Sequence, residues 1–420
     1  MLRTVLTFFL ACLLCVPVWA QTSVVADTPL VSAQASILLD RQTGLVLWEH
    51  NADQPLPMAS TTKIMTAMVI LDHGGDRLND VITVSQHAAS TGGSSILAAG
   101  DALTLESDLK AALICSSNEA TVAAAEFLTG GHPEQFVQWM NDKARDLGLT
   151  RTHFVNPHGL FDHAQGQEHY TTARELALIA RYALTYYPEI RKIIQLGVRK
   201  PEVINVLPRG HIVLWGRDRI LGLAVPGVPG SVVDGVKTGY VNQSGKCLVS
   251  SASRNGWQLI AVVLNSPECF KENLALLNLG FTRYHWVTYA DPGHGLEVPI
   301  RYGACKTLAI GAQQPLGAPV PDDAVATMVQ DSVVFREGTA RAPVAQNGVV
   351  GSLDLLRDGQ VIASAPAIAL TPVALVWWRR GGLWTVLCIG VLLLVSGMGL
   401  LYGTRAKNAR RRRRLLAQAR

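Results

Sequence analysis

The 420-residue sequence predicts an α/β domain of the α+β type, in which helices pack on a mostly antiparallel sheet, followed by a small all-β domain and a C-terminal transmembrane helix. The first supporting observation is a hairpin pattern, because two apolar strands flank Arg41-Gln42-Thr43-Gly44. Helical patterns fill the middle of the chain. Strand patterns return after Arg191, so the first and last strands could be neighbours in one sheet. The helical patterns are Thr61–Asp72, Ser107–Leu113, Glu119–Leu128, Pro133–Leu147, Thr172–Leu184 (opened by a capping box) and Asn273–Val287, and the strand patterns are Ala35–Asp40, Leu45–His50, His211–Trp215, Val232–Tyr240, Gly245–Ser251 and Gln258–Leu264.

A second, smaller domain is indicated after the turn Asp291-Pro292-Gly293. The sequence from Glu297 to Leu370 alternates in the manner of short strands and contains no convincing helical pattern. Within it, Asp358-Gly359 joins Leu353–Arg357 to Gln360–Ala365, which is a two-residue hairpin signal. This part of the sequence therefore predicts a β-rich module.

Both ends of the chain carry apolar segments. The N-terminal one combines Arg3, an apolar run and Val18-Trp19-Ala20, which is typical of a signal peptide cut after Ala20. The C-terminal one is uncharged over 23 residues and would span roughly 35 Å as a helix, enough for a bilayer core of about 30 Å. The arginine run that follows it predicts a cytoplasmic tail by the positive-inside rule. The expected divisions are a signal peptide at 1–20, a catalytic domain at 21–290, a β-rich domain at 291–370, a juxtamembrane linker at 371–380, a transmembrane helix at 381–403 and a basic cytoplasmic tail at 404–420.

The basic charge of the chain is confined to its tail. The formal net charge is +5, but residues 381–420 hold eight basic residues and no acidic one, and residues 21–380 carry a net charge of −4. A body without excess positive charge disfavours nucleic-acid binding. The cysteines expected outside the membrane allow three pairings, and none has a metal-ligand spacing, so a zinc site has little support. These cysteines are Cys115, Cys247 (expected as a buried thiol), Cys269 and Cys305.

A candidate nucleophile lies in Ser60-Thr61-Thr62-Lys63. At the start of a helix, Ser60 and Lys63 would lie one turn apart on the same face. A desolvated lysine near other cations can be neutral and can serve as the base that a serine nucleophile needs. Alone, this SxxK pattern is weak, since it occurs often by chance.

Two further motifs follow in order. Ser116-Ser117-Asn118 lies between two helical patterns, and Lys237-Thr238-Gly239 lies on a strand before Tyr240. Glycine permits close backbone approach there, and lysine with threonine can bind a carboxylate. The order SxxK, SxN, KTG in an exported protein is a strong signal for serine acyl-transfer chemistry.

The chain resembles the D-alanyl-D-alanine carboxypeptidases, which are low-molecular-mass penicillin-binding proteins. The resemblance covers about residues 30–290 well and the β-rich module and anchor more loosely. It implies the penicillin-binding, serine β-lactamase-like transpeptidase fold. The segments that carry it are ASILLDRQTGLVLWEHN, PLPMASTTKIMTAMV, CSSNEA, GLTRTHFVNPHGL and DGVKTGYVNQSGKCLV.

The resemblance implies an enzyme that removes the terminal D-alanine from peptidoglycan pentapeptide stems and binds β-lactams. It implies no metal and no organic cofactor. By it, Ser60 is the acylated nucleophile and Lys63 its base, Ser116 and Asn118 relay protons and position the peptide, Lys237 and Thr238 hold the terminal carboxylate beside Gly239, and the backbone N–H groups of Ser60 and Tyr240 form the oxyanion hole.

The uncharged C-terminal segment and the arginine run, not the resemblance, predict a bacterial cytoplasmic (inner) membrane location with a single span, contact with membrane lipids and a periplasmic catalytic domain. The rival is an amphipathic helix lying on the membrane, which would need a polar face, whereas Leu383–Leu401 offers only Thr385 and Ser396 as polar side chains.

The sequence leaves alternatives for the roles of several residues. Either Arg217 or Arg219 could assist carboxylate binding, and the segment 221–231 could form a loop at the edge of the site. His158 either takes part in the site or only organises its loop. Three other histidines are expected on the surface: His50, His132 and His169.

Three alternative functions stay in view. A class A β-lactamase would need a glutamate for deacylation. The 155–175 region offers no matching Glu-x-x-x-Asn element, because Glu168 is followed by His169-Tyr170-Thr171-Thr172. A D,D-endopeptidase would use identical residues. A non-catalytic penicilloyl-binding sensor is disfavoured by the intact motifs.

Overall fold

The computed structural model describes residues 31–161, 168–198, 200–293, 295–322, 331–337, 340–376 and 382–418. They form two compact units: 31–39 with Val46–Gly280, and Asp40–Leu45 with the residues from Phe281 onward. The predicted signal peptide lies outside the described residues.

The first unit has the predicted sequence of a strand hairpin, helices and strands. A 3₁₀ turn, Ala59–Thr62, precedes the first helix. The strands are β1 Ala35–Asp40, β2 Val46–His50, β3 Val81–Thr83, β4 Ala102–Thr104, β5 Glu202–Val206, β6 Gly210–Leu214, β7 Ser231–Val241, β8 Gly245–Arg254 and β9 Trp257–Ser266. The helices are α1 Lys63–Gly74, α2 Gln86–Ala89, α3 Leu105–Ile114, α4 Asn118–Thr129, α5 Pro133–Asp146, α6 Ala173–Tyr186, α7 Pro188–Leu196 and α8 Cys269–Arg283.

The main sheet has the strand order β2-β1-β9-β8-β7. The prediction that the first and last strands are neighbours is confirmed, since β1 lies beside β9. Strands β7 and β8 are antiparallel, as are β8 and β9, with Gly239 opposite Cys247. Nearly every residue of β9 is buried, so this strand reads as a continuous apolar run with both of its faces covered. Strand β7 lies at the open edge.

Local signals set the ends of several helices. The Thr104, Ser117 and Thr172 hydroxyls cap α3, α4 and α6 by accepting from backbone N–H groups three residues on. Only half of the predicted capping box forms, because the Glu175 carboxylate accepts from Arg151 N and Thr152 Oγ1. Helix α1 is buried on nearly all sides, as a central core helix should be.

The helix predicted over Asn273–Val287 is shifted by four residues, since the observed helix begins at Cys269. Helix α8 ends at Arg283 and a strand, β10 Tyr284–Ala290, follows directly. The segment YHWVTYA is rich in aromatic and β-branched residues, which favour a strand once a partner strand is available. No predicted helix or strand corresponds to α2, α7, β3, β4 or β5.

The second unit contains the β-rich module. Its five-stranded sheet has the order β11-β12-β16-β15-β14, and β10 pairs with β13. The hairpin around Asp358-Gly359 is confirmed, since β15 and β16 pair across it. The strands are β11 Leu296–Pro299, β12 Thr307–Ala312, β13 Leu316–Pro321, β14 Asp331–Glu337, β15 Val349–Arg357 and β16 Gln360–Ala369.

One long helix, α9 Gly382–Gln418, ends the described chain. Its segment Val386–Arg412 is long and apolar enough to cross a membrane, and none of it is buried against protein. The helix continues without a break from the predicted span into the basic tail. It is a candidate membrane anchor by length and composition.

Candidate active site

The SxxK motif sits where a tight turn enters the core helix. Ala59, directly before Ser60, has a left-handed backbone with φ 46°, which is uncommon for a residue with a side chain. The Thr62 hydroxyl donates to Ala59 O at 2.7 Å. Gly159 (φ +85°) packs onto the same carbonyl so closely that a Cβ there would lie 2.0 Å from it. Ser60 is thus half-exposed on a turn held from several sides.

Lys63 opens α1 with its side chain fully buried. Its Nζ lies 3.0 Å from Ser60 Oγ, 2.6 Å from Asn118 Oδ1 and 2.9 Å from the carbonyl oxygen of His158. The last two partners can only accept hydrogen bonds. A neutral amine has two N–H donors and one lone pair. If both hydrogens go to these carbonyl oxygens, the lone pair is left for the Ser60 hydroxyl.

The surroundings of Lys63 favour that neutral form. Burial lowers its pKa well below the ordinary value of 10.5, and the nearby cations Lys237 and Arg217 lower this pKa further. Glu119 and Cys115 oppose the shift but do not cancel it. The geometry and the charges therefore agree on Lys63 as a proton acceptor.

The SxN motif lies between α3 and α4, and its three residues take different positions. Ser116 has a left-handed backbone, φ 64°. Ser117 caps α4, and Asn118 is the first residue of that helix. Asn118 Nδ2 donates to Gly92 O at 2.8 Å, which directs Oδ1 towards Lys63. This orientation makes the amide an acceptor for the lysine.

Lys237 on β7 faces the other side of the SxN motif. Its Nζ donates to Ser116 Oγ at 2.9 Å and to Thr238 O at 2.9 Å, and the side chain is 3% exposed. Burial, and then the Arg217 cation, lower the pKa of Lys237 to about 7. A positive charge is therefore available at this point of the site up to near-neutral pH.

Gly239 lets the edge strand approach the serine turn. A Cβ at this position would lie 3.0 Å from Met58 O and 3.1 Å from Thr61 N. Thr238 is half-buried and Tyr240 is 62% exposed. Strand β7 ends the sheet, and the loop residues Gly222 and Leu223 bond to Val233 near its start. Beyond that point no strand of the described residues pairs with its outer edge. An extended peptide could pair along this edge beside Ser60.

The two candidate arginines lie in different surroundings. Arg217 lines a small cavity together with Asp218, Lys237 and Thr238. Arg219 is held over the Phe270 ring, 5.9 Å from its centroid. Of the two, Arg217 is the one beside the lysine of the KTG motif.

His158 contributes to the site chiefly through its backbone. Its carbonyl oxygen accepts from Lys63, and its Nδ1 accepts from Leu160 N at 3.1 Å. Burial, and next the nearby Lys63, lower its pKa well below 6.5, so the ring is neutral. These contacts match the loop-organising alternative.

The prediction that His169 lies on the surface is wrong, whereas His50 and His132 are exposed as predicted. His169 is 3% exposed, and burial lowers its pKa to about 3. Its Nδ1 accepts from Val155 N at 3.1 Å, so Nε2 carries the proton and donates to Thr62 Oγ1 at 2.8 Å. The bridge between His153 and Tyr170 turns this loop inward. His169 thereby supports the serine turn from behind.

Two other residues of the site had no prediction. The Ser94 hydroxyl accepts from Asn118 N at 2.7 Å and donates to the buried Glu119 carboxylate. Glu119 directly follows the SxN motif, but an acid in the first turn of a helix is common for electrostatic reasons alone. Ser94 lies 24 residues before Asn118, in a loop whose sequence carries no chemical signal.

No cluster of three or more metal-ligating side chains occurs in the part of the chain that the structure describes. Cys115, Cys247, Cys269 and Cys305 are all free thiols there, and Cys247 is buried as predicted. The site thus consists of a serine, a buried lysine beside it, an amide that orients the lysine, and a second lysine on a free strand edge. These features define a serine acyl-transfer enzyme of the penicillin-binding class.

Comparison with known proteins identifies the family. Residues 22–268 match the family model described as D-alanyl-D-alanine carboxypeptidase, and residues 292–374 match that of the penicillin-binding protein 5 C-terminal domain. The chain belongs to the D-alanyl-D-alanine carboxypeptidase family and is a serine peptidase.

Individual relatives are similar to this protein over most of its chain. The D-alanyl-D-alanine carboxypeptidase DacF of Bacillus subtilis (strain 168) is 32% identical over 80% of this chain and 85% of its own. DacC of Escherichia coli (strain K12), with the same description, is 32% identical over 83% and 86%. The crystal structure of penicillin-binding protein 5 from Haemophilus influenzae matches with a TM-score of 0.63 at 28% identity, over 83% of this chain and 99% of that one.

Proposed function

We propose that the enzyme removes the terminal D-alanine from peptidoglycan pentapeptide stems through an acyl-enzyme on Ser60. The observation that carries the proposal is the set of partners around Lys63, which takes up both hydrogens of a neutral amine and leaves its lone pair for Ser60. Family membership supports the substrate class.

Acylation begins when Lys63 accepts the Ser60 proton and Oγ attacks the carbonyl carbon of the penultimate D-alanine. The developing oxyanion is stabilised by the backbone N–H groups of Ser60 and Tyr240. The Lys237 ammonium and the Thr238 hydroxyl bind the terminal carboxylate, with Arg217 adding positive charge.

The tetrahedral intermediate collapses when the leaving amine receives a proton. This is the proton that Lys63 took from Ser60, and Ser116 relays it. Ser116 Oγ accepts a hydrogen bond from Lys237, and Lys63 contacts Asn118 of the same motif. Free D-alanine departs, and a water activated by Lys63 then hydrolyses the ester. A β-lactam offers a strained amide and a carboxylate in the same arrangement and forms an ester on Ser60 that is slow to hydrolyse.

Penicillin should therefore acylate Ser60 covalently. Intact-mass measurement after incubation should find one added β-lactam on the wild-type protein and none on Ser60→Ala. Labelling that persists in Ser60→Ala would contradict the assignment of the nucleophile.

Lys63→Ala should remain folded but acylate roughly 10²–10⁴-fold more slowly, because a general base contributes about this factor. Normal acylation by a folded Lys63→Ala protein would show that the base lies elsewhere.

The same material separates the carboxypeptidase from the endopeptidase alternative. A pentapeptide substrate should release free D-alanine in step with acylation, and a cross-linked dimer should be cleaved more slowly. Faster cleavage of the dimer would favour the endopeptidase.

The alkaline limb of the pH profile should report Lys237. Its pKa is lowered to about 7, so the ammonium that pairs with the substrate carboxylate is present below that pH and lost above it. The kcat/KM for a D-alanine-terminated peptide should thus fall about tenfold per unit well above pH 7. Lys237→Arg should be slower but should lose this limb, since a guanidinium stays charged. An unchanged limb in the arginine variant would assign it to another group.

We further propose that α9 anchors the enzyme in the cytoplasmic membrane as a single span with the catalytic domain on the periplasmic side. The support is an apolar, exposed segment followed by Arg410–Arg414 on the same helix. The anchor would bring the tail arginines to anionic lipid headgroups of the inner leaflet.

Protease added to intact spheroplasts should digest the catalytic domain and spare a tag placed after Arg420. A tag that is digested as well would reverse the orientation. Release of the protein by alkaline carbonate or high salt would refute the span.

A further inference from the structure

Glu119 occupies an unusual place beside the catalytic lysine. It is a carboxylate that is only 1% exposed, and it follows Asn118 directly on α4. One of its oxygens, Oε2, accepts hydrogen bonds from two hydroxyls, those of Ser94 and Ser117. The mechanism above makes no use of it.

Through Ser94 the carboxylate is linked to the backbone of Asn118, whose side-chain amide contacts Lys63. The Ser94 hydroxyl accepts from Asn118 N at 2.7 Å, and the Ser117 hydroxyl accepts from Ala120 N at 3.2 Å as the cap of α4. Asn118 in turn accepts from Lys63 Nζ at 2.6 Å. Glu119 and Ser94 therefore hold the backbone of the residue whose side-chain carbonyl contacts the base.

We propose that Glu119 is a positioning residue of this enzyme, which holds Asn118 in register with Lys63 through Ser94 and supplies a buried negative charge opposite the lysine. The first role is mechanical and the second is electrostatic. The inference rests on the proposed function, because it assumes that Lys63 is the base of acylation.

The electrostatic role follows from the charges around Lys63. The cations Lys237 and Arg217 favour the neutral amine, and the Glu119 carboxylate favours the ammonium, so Glu119 keeps the pKa of Lys63 from falling further. Removal of this negative charge should let the base stay neutral at lower pH. The titratable groups that act on Lys63 or are acted on by it are Lys237 on β7, Arg217 after β6, Glu119 on α4, Cys115 before it, and His158 and His169 in the loop before α6.

Glu119→Gln tests the charge with little change in shape. The glutamine carbonyl can take the place of Oε2 and accept from both serines, so that the hydrogen bonds remain and the charge is lost. The second-order rate constant of penicillin acylation should then show an acid limb shifted by about one pH unit towards acid, the size expected for one nearby charge. The rate on the plateau should stay within about threefold of wild type.

Glu126→Gln is the matched control, because it makes the same chemical change on the same helix. Glu126 pairs with His87 and is not among the groups that shift the pKa of Lys63. Its acid limb should coincide with that of the wild type. A limb in Glu119→Gln that coincides with the control would overturn the electrostatic role.

Ser94→Ala tests the mechanical role at a half-buried loop position. It removes the link between Asn118 and Glu119 but keeps the charge. Acylation should slow by about tenfold, with the acid limb in place and the melting temperature near that of wild type. A wild-type rate of acylation in Ser94→Ala would overturn the mechanical role. This test does not depend on whether Glu119→Gln folds.

These readouts separate this proposal from its alternatives. A carboxylate that merely stabilises the start of α4 would change the melting temperature and leave the acid limb in place. If wild-type Ser60 is not acylated at all, the proposed function itself fails, and this outcome is visible before any Glu119 variant is made.

Discussion

The structure depends above all on one buried amine. A lysine placed in the core loses its hydration, and it can stay there without a direct carboxylate partner only if it becomes neutral or if its hydrogens are fully used. Lys63 meets both conditions, since two carbonyl oxygens take its hydrogens and two neighbouring cations oppose its protonation. The same conditions that make burial tolerable leave a lone pair directed at Ser60. Stability and reactivity at this point share one arrangement.

Much of the first unit can be understood as the frame for that amine. Helix α1 is buried on almost every side, so the lysine at its first position cannot reach solvent. The SxN turn, the 156–160 loop and the edge strand each bring one polar group to the site from a different part of the chain. Gly159 and Gly239 are needed where two of these segments touch the serine turn. His169, which is neutral because it is buried, fixes Thr62 from behind.

The sequence predicts those features that depend on local patterns of residues. The hairpin β1–β2, the helices α1 and α3 to α6, and the adjacency of the first and last strands follow from periodicity and turn residues, and the three motifs follow from their order. Features that depend on distant partners were missed. Tyr284–Ala290 became a strand because β13 offers an edge, and His169 became buried because its loop pairs inward. Ser94 and Glu119 carry no recognisable pattern, since their roles exist only after the loop, α4 and α1 have come together.

The central claim is that Lys63 is neutral in the resting enzyme at the pH at which it acts. The most direct measurement is the titration of Lys63 by heteronuclear NMR of the full-length protein in detergent micelles, labelled at lysine Cε and Nζ, with Lys63→Arg used to assign the signal. The account predicts that the Lys63 signal titrates well below the ordinary lysine value of 10.5 and that the amine is neutral at physiological pH. A Lys63 signal that titrates near 10.5, with penicillin acylation of Ser60 intact, would contradict it.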